Sequence, residues 1–260
     1  MIGVFDSGVG GLTVLSQIRQ RLPEISLIYV ADQAYSPYGD LSAAQVLERS
    51  QVITQWLVDQ GCSVIVVACN TATAIAIDRL REQFSVPIVG VEPGVKPAAL
   101  SSKTGKVAIL ATENTLASQR YSHLISSFLP NVSVISQACS GLADAIESRP
   151  DDIGPLLARY TSAFAAEGVD QVVLGCTHYP LVTAEIRALL PSSIDIVDTS
   201  GAIASEVARR AEVAVHPKTK PSIDLWTTGN PLNFQNIIGR YQTLSWLKDH
   251  QIALLKLTSP

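Results

Sequence analysis

Two short stretches of the chain carry residues that could do chemistry at a single carbon. In 64-VIVVACNTAT-73 an apolar run ends in Cys69, followed by Asn70 and Thr71. In 172-VVLGCTHYPL-181 a second run stops at Gly175 and delivers Cys176, Thr177 and His178. A third run, IGVF, ends in Asp6 and Ser7. A free thiol titrates at about 8.5, and its thiolate is weakly solvated and kinetically adept. Two thiols on opposite faces of one small molecule suit inversion of a carbon stereocentre: one base removes a proton from one face, and an acid returns a proton to the other. Each thiol needs a neighbour to manage its proton. Asp6 is the natural partner for Cys69. His178 is the natural partner for Cys176, since residues two apart share one side of extended backbone.

The elements that must hold these residues follow from the pattern around them. Short apolar runs alternate with helical patterns: IGVF then GLTVLSQIRQRLP, SLIYVAD then SAAQVLERSQVITQWLVDQG, SVIVVAC then TATAIAIDRLREQF. The alternation continues through PIVGVEP, KVAILAT, SVISQAC, DQVVLGC and DIVDTS, with a long helix predicted from about Asp152 to Glu167. Strands separated by helices imply βα units and mostly parallel sheets, whose strands are apolar on both faces. An internal repeat is visible. IGVFDSG aligns with VAILATE, VIVVACNT with QVVLGCTH, and PIVGVEPG with DIVDTSG, at offsets of about 106 residues. Three matches in register predict two similar, pseudo-symmetric three-layer α/β domains. The expected division is 1–96 plus 210–260 for the first and 97–209 for the second, with links near Lys96 to Lys106 and Arg209 to Lys220. The tail, DLWTTGNPLNFQNIIGRYQ, is expected to add a strand and a helix to the first sheet.

Ligands of open parallel sheets bind beyond the carboxyl ends of the strands. Asp6, Ser7, Asp32, Cys69 to Thr71, Glu92, Thr112, Cys176 to His178 and Asp198 all fall there. Two domains facing each other bring both sets to one cleft at the interface. Each cysteine is expected to precede a helix, with Asn70 or Thr71 capping the first. A helix N-terminus lowers a thiol pKa and welcomes an anion. GVGGLT, after Asp6 and Ser7, is expected to let backbone approach a small ligand.

Bulk properties narrow the class. The chain has 260 residues, 47% hydrophobic and 16% charged, as a well-packed soluble enzyme would. A net charge of −4 with scattered Lys and Arg gives no support to nucleic-acid binding. No apolar stretch is long enough for a membrane span, and no charged leader precedes IGVF, so a cytoplasmic protein is expected. The four cysteines are widely spaced and are read as thiols. Without CxxC, HExxH or a His/Cys cluster, no metal site is expected.

The segments GVFDSGVGGLTVL, YVADQAYSPYGD, VVACNTATA, VGVEPGVKPA and LGCTHYPLV resemble those of the glutamate racemases, in the aspartate/glutamate racemase family. The resemblance runs from residue 3 to about residue 200, and WTTGNPLNF in the tail is also similar. It implies cofactor-independent interconversion of L- and D-glutamate for peptidoglycan synthesis, needing neither pyridoxal phosphate nor metal, by a cytoplasmic homodimer. It implies that Cys69 acts on D-glutamate with help from Asp6, and Cys176 on L-glutamate with help from His178 and Glu147. It places substrate contacts on Asp6, Ser7, Pro37, Tyr38, Gly39, Asn70, Thr71, Thr112, Thr115, Thr177 and His178. Aspartate or a related acidic substrate is the alternative.

Other readings stand beside this one. GVGGLT with Asp32 resembles a dinucleotide fingerprint, but Thr13 stands where the third glycine belongs, and Asp6 puts negative charge near the pyrophosphate site. A non-catalytic two-lobed amino-acid receptor has no need of paired thiols. Cys62 and Cys139 are read as inert small hydrophobes, and His123 as an ordinary helix residue. Asp6 could be a turn former and Tyr38 turn packing. Asp32, Glu92 and Asp198 could serve only to bind backbone amides.

Overall fold

The computed structural model describes residues 1–127, 132–214 and 220–257. The strands are β1 (Ile2–Asp6), β2 (Leu27–Ala31), β3 (Val64–Val67), β4 (Ile88–Gly90), β5 (Lys106–Ala111), β6 (Ser133–Ala138), β7 (Gln171–Leu174), β8 (Asp195–Val197), β9 (Ile223–Thr227) and β10 (Ile252–Leu254). Between them run α1 (Leu12–Arg21), α2 (Ala43–Asp59), α3 (Asn70–Gln83), α4 (Val95–Ser101), α5 (Glu113–Leu116) and α6 (Gln119–Ser126). The later helices are α7 (Leu142–Ser148), α8 (Ile153–Thr161), α9 (Thr183–Leu189), α10 (Ser200–Ala214) and α11 (Pro231–Arg240).

Among the described residues the strands form two sheets, ordered β10-β9-β2-β1-β3-β4 and β6-β5-β7-β8, and every pairing is parallel. Four adjacent strands of the first sheet, β2-β1-β3-β4, repeat the order of the second, β6-β5-β7-β8. The aligned segments of the sequence repeat are therefore equivalent strands. Side-chain alternation sorts the core. Val4, Val64 and Val66 join Ala108, Leu110, Val172 and Leu174 in one apolar cluster shared by the two sheets. Their neighbours Phe5, Ile65 and Val67 pack under α2 and α3, and Val107, Ile109 and Val173 pack under α4 and α6. A shared core lets the strand ends of the two sheets meet.

The link expected at 96–106 is partly helical: α4 packs on β5 and β7. The long helix predicted to 167 ends as α8 at Thr161, and two helices, α5 and α6, follow Thr112. The tail adds β9 beside β2, as expected, and also β10, a three-residue edge strand whose apolar residues are too few to stand out in sequence. Helix α10 leaves the second sheet to pack on α1 and against β3 and β4, so residue 209 falls within a helix. Within the return segment, 215–219 lie outside the described residues.

Candidate active site

Asp6 ends β1 in a fully buried position. Its carboxylate accepts the Ser7 amide at 2.7 Å, the Gly11 amide at 2.5 Å and the Thr177 hydroxyl at 3.2 Å. Thr177 follows β7, so this last bond joins the ends of the two sheets. Burial pushes the Asp6 carboxyl above the usual carboxylate range, against the opposing pull of His178 and of its own hydrogen bonds.

Cys69 follows β3 and is itself the N-cap of α3: its sulfur accepts the Ala72 amide at 3.5 Å. The sequence expectation gave that role to Asn70 or Thr71, yet both already lie in the first turn. Asn70 instead donates to the Val91 carbonyl at 3.3 Å. The expected fall in thiol pKa is also reversed. Burial, and then the charge of Asp6, push the Cys69 thiol well above its ordinary value, outweighing the Ala72 amide. Both effects favour the protonated thiol.

Cys176 follows β7, but no α-helix begins there. A single 3₁₀ turn, Tyr179–Val182, precedes α9. In place of helix amides, Cys176 has His178, whose Nδ1 lies 3.8 Å from the sulfur. The other ring nitrogen lies 2.8 Å from the Glu147 carboxylate on α7. Burial alone would lower the His178 pKa, but its bonds to Cys176 and Glu147 outweigh it and hold the ring well above the ordinary histidine value. The Val9 amide at 2.5 Å and the Gln33 side-chain amide at 2.9 Å also donate to Glu147.

The glycine-rich loop between Asp6 and α1 closes over this relay. A β-carbon on Gly8 would overlap the Glu147 carboxylate, and one on Gly10 would lie 2.5 Å from His178 Nδ1. The backbone thus approaches the protein's own acid and imidazole, where a small ligand was expected. Loop amides go to Asp6 and Glu147, and the Thr13 hydroxyl donates to Gly10 and lies 3.3 Å from the Thr177 carbonyl. With those amides and the nearby carboxylates in place, the loop is unsuited to a pyrophosphate.

The remaining predicted residues fall into two groups. The hydroxyls of Thr71, Thr112 and Thr115 form a cluster, with spacings of 2.9 Å, 3.4 Å and 2.9 Å, that ties α3 to α5. Pro37, Gly39 and Thr112 line a small cleft of about 60 Å³ together with Cys139 and Gly141. Tyr38 turns away from the cleft: its hydroxyl donates to Asp32 at 2.6 Å. Asp32 also binds Arg49 through two bonds of 2.9 Å and accepts from Thr228 at 2.8 Å, which leaves it structural. Glu92 pairs with Arg120, and Asp198 holds the amide and hydroxyl of Ser200 at the start of α10. Burial raises both Cys62 and Cys139 to about 12, in keeping with inert thiols. His123 is exposed on α6. Sequence reading missed Gln33 and the Val9 amide. Gln33, next to Asp32 at a strand end, was within reach of that reasoning; the Val9 amide carries no side-chain signal.

Among the described residues, no group of three or more His, Cys, Asp or Glu side chains could hold a metal ion, and no helix is long and apolar enough to cross a membrane.

Fold and site together define a two-sheet α/β protein in which each sheet presents a buried thiol with its own acid–base partner. The sequence pattern of the Asp/Glu/Hydantoin racemase family matches residues 10–207. A glutamate racemase of Pseudomonas aeruginosa is 44% identical over 246 residues, covering 91% of this chain and 92% of that one. One from Methylococcus capsulatus is 40% identical over 98% of this chain and 94% of its own. Among solved structures, Escherichia coli glutamate racemase in complex with L-glutamate and the activator UDP-MurNAc-Ala superposes with a TM-score of 0.88 at 31% identity, covering 99% of this chain and 98% of that chain. A Bacillus anthracis glutamate racemase isoform gives 0.86 at 32%, covering 100% and 98%. The chain belongs to the Asp/Glu/hydantoin racemase family and is a racemase, an enzyme of the isomerase class.

Proposed function

We propose that this enzyme interconverts L-glutamate and D-glutamate by two-base proton transfer at Cα, with Cys69 and Cys176 on opposite faces of the substrate. The observation that carries the reading is the meeting of two unlike proton-handling clusters, Asp6–Cys69 and Glu147–His178–Cys176, joined by the Thr177–Asp6 bond. Asp6, with a carboxyl already raised by burial, accepts the Cys69 proton and leaves a thiolate to attack the Cα–H of D-glutamate. The Cys176 cluster then returns a proton to the other face. In the opposite direction Cys176 abstracts from L-glutamate and Cys69 donates. The hydroxyls of Thr71, Thr112 and Thr115, with Ser7, Asn70 and Thr177, offset charge that develops on the substrate carboxylate. Pro37 and Gly39 shape the entrance, and Tyr38 supports them from behind.

The reading requires neither pyridoxal phosphate nor a metal. It places the enzyme in the cytoplasm as a homodimer that supplies D-glutamate for peptidoglycan, with no nucleic-acid or membrane partner. The expected division is 1–96 with 210–260 and 97–209; we place the second boundary instead at the start of α10, near residue 200, because that helix packs on the first lobe. The test is incubation with L-glutamate in heavy water without added cofactor, following optical rotation and deuterium at Cα. Loss of rotation with deuterium incorporation supports the proposal. Constant rotation with glutamate but loss with aspartate would reassign the substrate.

A further inference from the structure

We propose that Gln33 is a positioning residue for the Cys176 half of the reaction, acting through Glu147 and His178. The inference rests on the reading that Cys176 exchanges the substrate proton.

Gln33 opens the short turn after β2, in the first sheet's half of the molecule, and is half-buried. Its amide is held at both ends. The Thr227 hydroxyl donates to its oxygen at 3.0 Å, and its nitrogen donates to Glu147 Oε2 at 2.9 Å. The Gly229 amide in turn donates to the Thr227 hydroxyl at 3.1 Å. A β-carbon at Gly229 would lie 2.9 Å from Gln33 Cβ, so the turn after β9 leaves room for this side chain. The carboxylate is therefore shared out: Oε1 faces His178 and the Val9 amide, and Oε2 faces Gln33. The backbone beneath it is also fixed. Arg240 donates to the Ile146 and Glu147 carbonyls, and Tyr241 to the Ile146 carbonyl. An amide whose oxygen is already committed to a hydroxyl can present only its N–H face to Glu147. It thereby fixes the rotation of the carboxylate, as an outer partner does for an acid–histidine pair. Because Gln33 belongs to one sheet's half and Glu147 to the other's, the relay is complete only when the two halves are in this arrangement.

The test uses the full chain. Gln33→Met keeps the shape and loses the donor, and Gln33→Glu sets a second carboxylate against Glu147. Loss of one hydrogen bond to a charged group predicts a fall in kcat of about tenfold or more for Gln33→Met, with KM within about twofold of wild type. Gln33→Glu should fall further. In a Glu147→Gln background, Gln33→Met should cost less than about twofold more, because the group it acts through has been neutralised. Thr227→Val, which leaves Gln33 itself in place, should give a smaller fall of the same kind and covers the case of a poorly folding Gln33 variant. Wild-type kcat in Gln33→Met, a change confined to KM, or equal losses in both backgrounds would overturn the proposal. Full activity of Glu147→Gln would also overturn it while leaving glutamate racemisation intact. Absence of racemisation by the wild type would remove the underlying reading instead.

Discussion

Gly10→Ala is the sharpest probe of how the loop and the relay fit together. The added β-carbon would sit 2.5 Å from His178 Nδ1 and 2.7 Å from the His178 amide nitrogen. Ordinary contact begins near 3.4 Å, so ring and loop must part by about 0.9 Å and the backbones by about 0.7 Å. The imidazole atom that moves is the one facing the Cys176 sulfur at 3.8 Å. The loop has little freedom to yield instead, because Gly11 is bonded to Asp6 and Val9 to Glu147. Overpacking of this kind costs about 1–3 kcal/mol. For a chain of this size that lowers Tm by roughly 2–4 °C per kcal/mol. A displacement near 1 Å at a reacting group costs on the order of 100-fold in rate.

The assay is polarimetric racemisation of glutamate beside thermal unfolding. Gly239→Ala is the control. It lies exposed near the end of α11 with nothing within 4 Å of the added carbon, and in a helix it should stabilise by about 0.5–1 kcal/mol without loss of rate. Gly10→Ala with wild-type kcat and unchanged Tm would refute the claim that this glycine makes room for His178.

Three further outcomes follow from the same geometry. Arg49→Met leaves the fully buried Asp32 carboxylate without its cation and should destabilise by about 3–5 kcal/mol, read by chemical denaturation; replacing Asp32 as well should recover part of the loss. Asp6→Asn should lower racemisation yet speed alkylation of Cys69 at fixed pH, counted by mass spectrometry, since the Asp6 charge is one cause of the raised thiol pKa; slower alkylation would contradict that cause. His178 has a folded pKa above its ordinary 6.5, so the folded state binds the extra proton and stability falls with rising pH. The stability lost in His178→Gln should therefore be largest below about pH 6.5 and shrink as pH rises through the folded value, as measured by Tm against pH.

Much of this arrangement could be read from the chain because strands carry a strong local signal. IGVFD, VIVV and QVVL are continuous apolar runs that stop at polar residues, and a parallel sheet places all such stops on one side. The repeat added the pairing of equivalent strands, which occupy matching places in both sheets, while the order itself comes from the structure. What escaped the sequence depends on distance in space. Tyr38 looks like a ligand contact in PYG, but Asp32, six residues before it and itself held by Arg49, accepts its hydroxyl. Cys69 precedes a helix, which argues for a low pKa, while complete burial beside Asp6 argues for a high one; composition cannot rank the two. Gln33 and Glu147 are 114 residues apart, and no local pattern joins them.

The two halves share a strand order but not a strand-end chemistry, and the difference has a physical use. Were both cysteines capped and partnered alike, each would meet the same field and neither state of a thiol–thiolate pair would be set apart by the protein. Here the first-sheet sulfur accepts an amide from a long helix and is held above its ordinary pKa by burial and by the charge of Asp6. The second-sheet sulfur has no such helix and faces an imidazole held well above its ordinary pKa by its bonds to that sulfur and to a carboxylate from α7. Thr177 and the glycine loop bind these unlike clusters into one network, so a proton gained on one side changes the field on the other. Duplication supplies the two positions, and divergence at the strand ends makes them complementary. A variant that copied the first half's residue into the second, His178→Thr to match Thr71, should therefore lose turnover in both directions while both sheets remain folded, because the proposed two-base inversion draws on both walls in every cycle.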